Sequence, residues 1–338
     1  MKLKTYIKRF ILILLFVFII SNVILYYYGM QLLEPVNLED PEAKIVEINA
    51  GDSSNEIINN LYNLGLIQDP LVFEIYLRIN NLTPKMQAGH YNLNTAMSAQ
   101  EIAQKIVAGE TATHKVSIPE GLRVYELADK FVEIGLDRDK LLEIIREDEL
   151  EFLPDEREDI NYNLEGFLFP DTYHIPYGAK EREVINLMLR EFERQIEPLR
   201  GEIEESDFSL YEIITIASLI EGEVILNSEK PIVASVIYNR LEDNMMLQLD
   251  ATVQYLIKEH RYRILYSDLR IDSPYNTYQR IGLPPGPINN PGIDSIKGAL
   301  NPEDTDYFYY VSEGDGSHVF TETYQQHLEE IHRIRGYR

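Results

Sequence analysis

The chain has 338 residues and no cysteine, and its 56 acidic residues outweigh 31 basic ones to give a formal net charge of -25. That balance argues against a nucleic-acid partner, since no basic stripe offsets the excess, and the missing cysteines exclude thiol catalysis, disulfide staples and cysteine–zinc sites. No His-Glu-x-x-His run occurs, and His327 and His332 are spaced wrongly for one helical face, so no metal site is read and no cofactor is expected.

In chain order, residues 1–9 carry Lys2, Lys4, Lys8 and Arg9. Residues 10–28 hold no charge and match the roughly 20 residues needed to cross a bilayer as a helix. Glu34, Glu39 and Asp40 follow, an asymmetry that places the N-terminus in the cytoplasm and the body outside. The competing reading, a cleaved signal peptide, is disfavoured by the length of the apolar stretch and the absence of an Ala-x-Ala-like site. Residues 10–30 are therefore expected to be a single-pass membrane anchor, with Tyr26, Tyr27 and Tyr28 at the interface, and the polar, Pro-containing 31–44 a spacer.

A small module of strand, helix, helix and strand is expected over 44–49, a helix opened by the capping box Ser53-x-x-Glu56, 69–79 and 88–93. A second capping box, Ser98-x-x-Glu101, starts a helix closed by Gly109. After a strand at 113–118 the chain turns mainly helical, with the clearest segments at 181–199, 210–223 and 229–242. The run Arg146-Glu-Asp-Glu-Leu-Glu-Phe-Leu-Pro-Asp-Glu-Arg-Glu-Asp159 reads as a solvated surface. A hairpin through Gly314-Asp-Gly-Ser317 and a helix over 322–335 end the chain. The fold class is α+β.

The segment Ile216-Ala-Ser-Leu-Ile-Glu-Gly-Glu223 places carboxylates in an apolar helix. Residues one turn from Glu221 are Ala217, Ser218, Val224 and Ile225, so desolvation is expected to raise its pKa and make it a general acid. Glu223, near Leu219, Ile220 and Leu226, looks much the same, and either could point to solvent; local pattern does not choose.

Leu164-Glu-Gly-Phe-Leu-Phe-Pro-Asp-Thr-Tyr173, the Ile216–Glu223 run, Val233-Ala-Ser-Val-Ile-Tyr-Asn-Arg-Leu241, Leu247-Gln-Leu-Asp-Ala-Thr-Val253, Ser273-Pro-Tyr-Asn-Thr-Tyr278 and Gly282-Leu-Pro-Pro-Gly-Pro-Ile288 occur in this order. Together with Asp304-Thr-Asp-Tyr-Phe-Tyr-Tyr310 and Gly316-Ser-His-Val-Phe320, they resemble the MltG/YceG-like family of endolytic murein transglycosylases. The resemblance covers the chain from residue 45 onward. It implies a LysM-like module at 45–112, a mainly helical α+β catalytic domain at 113–338, peptidoglycan glycan strands as substrate, peptidoglycan synthases as partners, and a catalytic Glu at Glu221. The chain departs from the usual pattern at Gly222, where many relatives carry a bulky charged residue, and at Leu249, where they carry Ser.

Around the acid, Ser218 is expected to support Glu221 by a hydrogen bond or simply to be small enough for packing. Tyr238, Asn239 and Arg240 either anchor their helix or touch sugar. Gln248, Asp250 and Thr252 alternate as ligand-facing residues of an extended segment would, and Tyr275, Asn276, Thr277 and Tyr278 sit in a Pro-bounded binding loop. With 23 tyrosines and no tryptophan, ring stacking on sugars falls to Tyr or Phe. A glycosidase generally needs two carboxylates, whereas a lytic transglycosylase uses the tethered C6 hydroxyl of N-acetylmuramic acid as its nucleophile, so one acid suffices. Asp250 as a second carboxylate keeps hydrolysis open. A non-catalytic wall-binding scaffold is the remaining alternative.

Overall fold

The computed structural model describes residues 2–150, 153, 159–257 and 264–336, so the acidic run at 146–159 lies partly outside the described residues. Helix α1 (Lys2–Gln31) carries the apolar N-terminal stretch, and none of its membrane-length window is buried. Phe10, Phe16 and Phe18 are each more than half exposed, an all-round apolar surface that a helix in water would bury.

The chain divides into two units, Met1–His114 with Ile175–Gly178, and Lys115–His174 with Ala179–Arg338. In the first, β1 (Ala43–Ile48), α2 (Ser54–Asn63), α3 (Pro70–Ile79), β2 (Gly89–Asn94) and α4 (Ala99–Ala108) follow one another. This is the strand, helix, helix, strand order read from the sequence, and both capping boxes form. Strands β1 and β2 pair antiparallel with Val46 opposite Tyr91. Period-2 alternation sends Val46 and Ile48 inward, where Leu61, Phe73, Leu77, Tyr91, Leu93, Ile102 and Ile106 complete a sealed core. Each such aliphatic or aromatic side chain contributes about 1.5–3 kcal/mol on burial. Within the expected spacer, Leu33 is buried, the Asn37 N–H donates to Thr95 O, and the Gln68 amide donates to Glu34 O and Pro35 O.

Strand β3 (Thr113–Ser117) pairs with β4 (Thr172–Pro176), and between them lie α5 (Val124–Val132) and α6 (Arg138–Glu147). The second unit continues with α7 (Glu181–Ile196), α8 (Arg200–Glu205), α9 (Leu210–Glu223), α10 (Lys230–Glu242), α11 (Asp250–Leu256) and α12 (Ile293–Leu300). It closes with the antiparallel hairpin β5 (Tyr309–Ser312) and β6 (His318–Thr321), then α13 (Tyr324–Arg335). Helix α9 is the axis of this unit. Ile213, Ile214, Ile216, Ala217, Ser218, Leu219 and Ile220 are all buried, so the helix is apolar on every side because it is wrapped on every side. The Ser209–Glu212 capping box starts it, and extended Val224 stops it directly after Glu223. Those two ends fix the height of both carboxylates. At Gly298 a Cβ would lie 3.2 Å from the Lys230 backbone, so a glycine is what lets α12 cross α10 closely enough to reach the end of α9.

Candidate active site

Residues two apart on a helix of 3.6 residues per turn point about 200° apart, so Glu221 and Glu223 leave α9 on opposite sides. Glu223 leaves toward an open cleft of about 1020 Å³ whose walls include Arg123, Glu126, Glu223, Asp250, Tyr278 and Asn289. One carboxylate oxygen of Glu223 accepts from the Ala251 N–H at 3.0 Å and the other from the Tyr310 hydroxyl at 2.9 Å. Burial pushes this carboxyl up to about 7, and the neighbouring Asp250 adds to the rise, while its two hydrogen bonds and His318 oppose it. Gly222 gives α11 room here: a Cβ there would come within 2.7 Å of the Ala251 Cβ, so any larger residue would have to shift α11 away from the end of α9. The helix is not shortened by this glycine, since α9 runs through Glu223.

Glu221 has the polar company that the sequence did not reveal. A single one of its oxygens, Oε2, accepts from Lys230 Nζ at 3.2 Å, the Gly292 N–H at 3.1 Å and Ser295 Oγ at 2.5 Å. Lys230 is 2 % exposed and Glu221 10 %. This is a closed ion pair that staples α9, α10 and the start of α12 together, and Glu221 is not among the residues lining the cleft. The expected lack of polar neighbours around Glu221 is corrected accordingly, because the cation arrives from α10 and the hydroxyl from α12.

On the cleft floor, Arg123 pairs with Glu126 at 2.6 Å, donates to Gln254 O at 3.0 Å and lies 4.5 Å over the Tyr125 ring. Beside it Glu165, inside the Leu164–Tyr173 motif, accepts from the Val124 N–H, and burial pushes it up to about 8. A carboxyl in that state is neutral at pH 7, which relieves the cost of enclosing it.

Residues 46–333 of the chain match the model of the YceG-like family. The chain belongs to the YceG-like family. Similar proteins include the endolytic murein transglycosylase of Bacillus subtilis, 33% identical over 89% of this chain and 88% of that protein. The endolytic murein transglycosylase of Streptococcus pneumoniae D39 is 29% identical over 85% of this chain and 57% of its own length. A 2.6 Å crystal structure of a YceG-like protein from Listeria monocytogenes superposes with a TM-score of 0.60 at 34% identity, covering 86% of this chain and all of that one.

In this YceG-like chain the remaining sequence candidates separate into cleft and scaffold. Asp250 and Tyr278 belong to the cleft, the Tyr278 hydroxyl donating to Asp250 at 2.7 Å. Ser218 does not support Glu221; it donates to Thr215 O and accepts from the Ile288 N–H, fastening the Pro-rich turn onto α9. Asn239 donates to Thr305 O and Tyr307 O, and Arg240 to Phe308 O and Leu247 O, while the Tyr238 hydroxyl reaches Ala299 O. These three anchor the helix rather than line the cleft.

The extended reading of 248–252 is overturned, because α11 begins at Asp250 and the period-2 pattern ends there. Gln248 is exposed with φ of 50°, and Thr252 is buried, donating to Leu249 O. Leu249 points into the core. Within the loop, Tyr275 packs its ring 4.9 Å from Tyr255, Asn276 donates to Leu269 O and Ile271 O, and Thr277 holds the Leu249 N–H and Thr252. All three are buried and build the loop that presents Tyr278. Tyr310, Arg123 and Lys230 were not singled out from the sequence. Tyr310 lay in a quoted motif, but only the hairpin pairing brings it to Glu223.

Proposed function

We propose that the chain is a membrane-anchored endolytic murein transglycosylase whose acid is Glu223, and not Glu221. The observation that carries the assignment is a carboxyl in the cleft wall held at about 7 by burial, beside the second carboxylate Asp250. The substrate class comes from the names of the relatives, and the chemistry from the residues. Protonated Glu223 gives its proton to the oxygen linking N-acetylmuramic acid to N-acetylglucosamine as that bond breaks. Positive charge developing at C1 is stabilised by Asp250, which the Tyr278 hydroxyl orients. The C6 hydroxyl of the muramic acid attacks C1, and the Glu223 carboxylate takes its proton, restoring the acid and leaving a 1,6-anhydro end. No water is consumed, and tethering the nucleophile supplies several kcal/mol of the barrier reduction.

The pH dependence tests the assignment. A general acid works protonated, so kcat/KM for strand cleavage is expected to hold below pH 7 and to fall as pH rises through about 7, the value of Glu223. A fall centred near the ordinary carboxylate value of 4.5 would remove Glu223 from that role.

The apolar α1, with basic residues before it and acidic residues after it, supports a single-pass anchor with a cytoplasmic N-terminus and an extracytoplasmic body. Protease added to spheroplasts is expected to degrade the body, and a protected body would contradict this orientation. The strand-helix-helix-strand unit is read as LysM-like and as a holder of glycan. A peptidoglycan synthase is the natural neighbour, since an anchored cleft meets strands near the membrane where they are made.

A further inference from the structure

Outside the cleft lies a buried carboxylate–imidazole pair that the mechanism above does not use. Glu229, the N-cap residue of α10, is 8 % exposed. One of its oxygens accepts the backbone N–H of His318 at 3.0 Å, and the other lies 2.7 Å from His318 Nδ1. A carboxylate only accepts, which assigns the proton to Nδ1. On the β5–β6 hairpin Tyr310 is opposite Phe320 and Ser312 is opposite His318, so Tyr310 and His318 share one face as diagonal neighbours. Their rings meet edge-on, with centroids 5.6 Å apart and planes at 88°. The same helix grips the approach to the hairpin at its other end, where Asn239 and Arg240 hold the carbonyls of Thr305, Tyr307 and Phe308.

We propose that Glu229 and His318 are positioning residues for the acid: by clamping the hairpin to the start of α10, while Asn239 and Arg240 hold its approach at the other end, they fix the face from which the Tyr310 hydroxyl reaches Glu223. This rests on the reading of Glu223 as the acid and goes beyond it. Tyr310 donates to the ionised form of Glu223 and so opposes the upward push of burial. A second effect follows from the same geometry. With Tyr310 held in place, Glu223 stays low enough to release its proton within the turnover, and without it the carboxyl becomes a weaker acid. The groups facing Glu223 from the elements around it are Asp250 on α11, Tyr278 in the following loop, Arg240 on α10, and Tyr310 and His318 on the hairpin.

The test is the pH profile of kcat/KM for glycan cleavage by full-length protein in detergent, with thermal unfolding measured in parallel. Tyr310→Phe removes one oxygen and is expected to move the basic limb up by about one pH unit. Glu229→Gln is expected to move it the same way, and the double variant to move it by clearly less than the sum of the two single shifts, since the clamp acts chiefly through the Tyr310 hydroxyl and only the direct effect of His318 on Glu223 adds to it. A lower rate with the limb in place for Glu229→Gln, or a shift that adds in full to that of Tyr310→Phe, would overturn the proposal. If Glu229→Gln does not fold, Tyr310→Phe with an unmoved limb overturns it alone. Turnover that survives Glu223→Gln instead removes the acid reading itself, an outcome separate from the behaviour of the hairpin variants.

Discussion

Glu223→Gln is expected to leave the fold intact and to lose nearly all strand cleavage. The amide matches the carboxyl in shape, and its oxygen can still accept from Ala251 while its NH2 donates to the Tyr310 oxygen, but it has no acidic proton to give. General acid catalysis accounts for about 10²–10⁴-fold in rate, and the loss here exceeds one such factor because the same group also takes the C6 hydroxyl proton. Stability supplies a second readout with a fixed sign. Folding raises the Glu223 pKa from 4.5 to about 7, so the wild-type protein loses stability as pH rises between those values while Gln does not. At pH 8 the inactive variant is therefore expected to be the more stable of the two, as measured by its urea midpoint.

Glu221→Gln is expected to do the opposite. Its partner Lys230 is 2 % exposed, and losing the carboxylate leaves an enclosed ammonium without its directly paired carboxylate, which costs about 3–5 kcal/mol when a buried pair is broken on one side. Adding Lys230→Met to Glu221→Gln should recover most of that loss, since replacing both charges by an uncharged pair of similar volume is often near neutral. Such variants should keep measurable turnover wherever they remain folded. If Glu221→Gln unfolded at the wild-type urea concentration and yet cleaved nothing, the proton donor would be Glu221 and the cleft assignment would be wrong.

Much of the fold could be read in the chain because its signals are local. Capping boxes at Ser53 and Ser98, the alternation of Val46 and Ile48, and the glycine turn at 314–316 each act within a few residues. The site was harder. Glu221 and Glu223 share one apolar run and differ only in which side of α9 they leave, and that difference is decided by Lys230, Gly292 and Ser295 on one side and Ala251 and Tyr310 on the other. Those partners come from other helices and from the hairpin, beyond the reach of local periodicity. Gln248, Asp250 and Thr252 misled for a related reason: two-residue spacing suits an extended segment, but tertiary packing of Thr252 on Thr277 places a helix there. In the 275–278 loop the polar residues looked like ligands, whereas burial turns three of them inward and leaves Tyr278 to the cleft.

Glu223 delivers a proton while the substrate supplies its own nucleophile. Mass analysis of products from uncrosslinked glycan strands, digested by the full-length protein in water labelled with heavy oxygen, tests it most directly. Internal cuts are expected, with new muramic-acid ends that are 1,6-anhydro sugars, lighter by one water than reducing ends and carrying no solvent oxygen. Reducing ends that carry the heavy label would contradict it, replacing transglycosylation by hydrolysis with Asp250 as the second carboxylate.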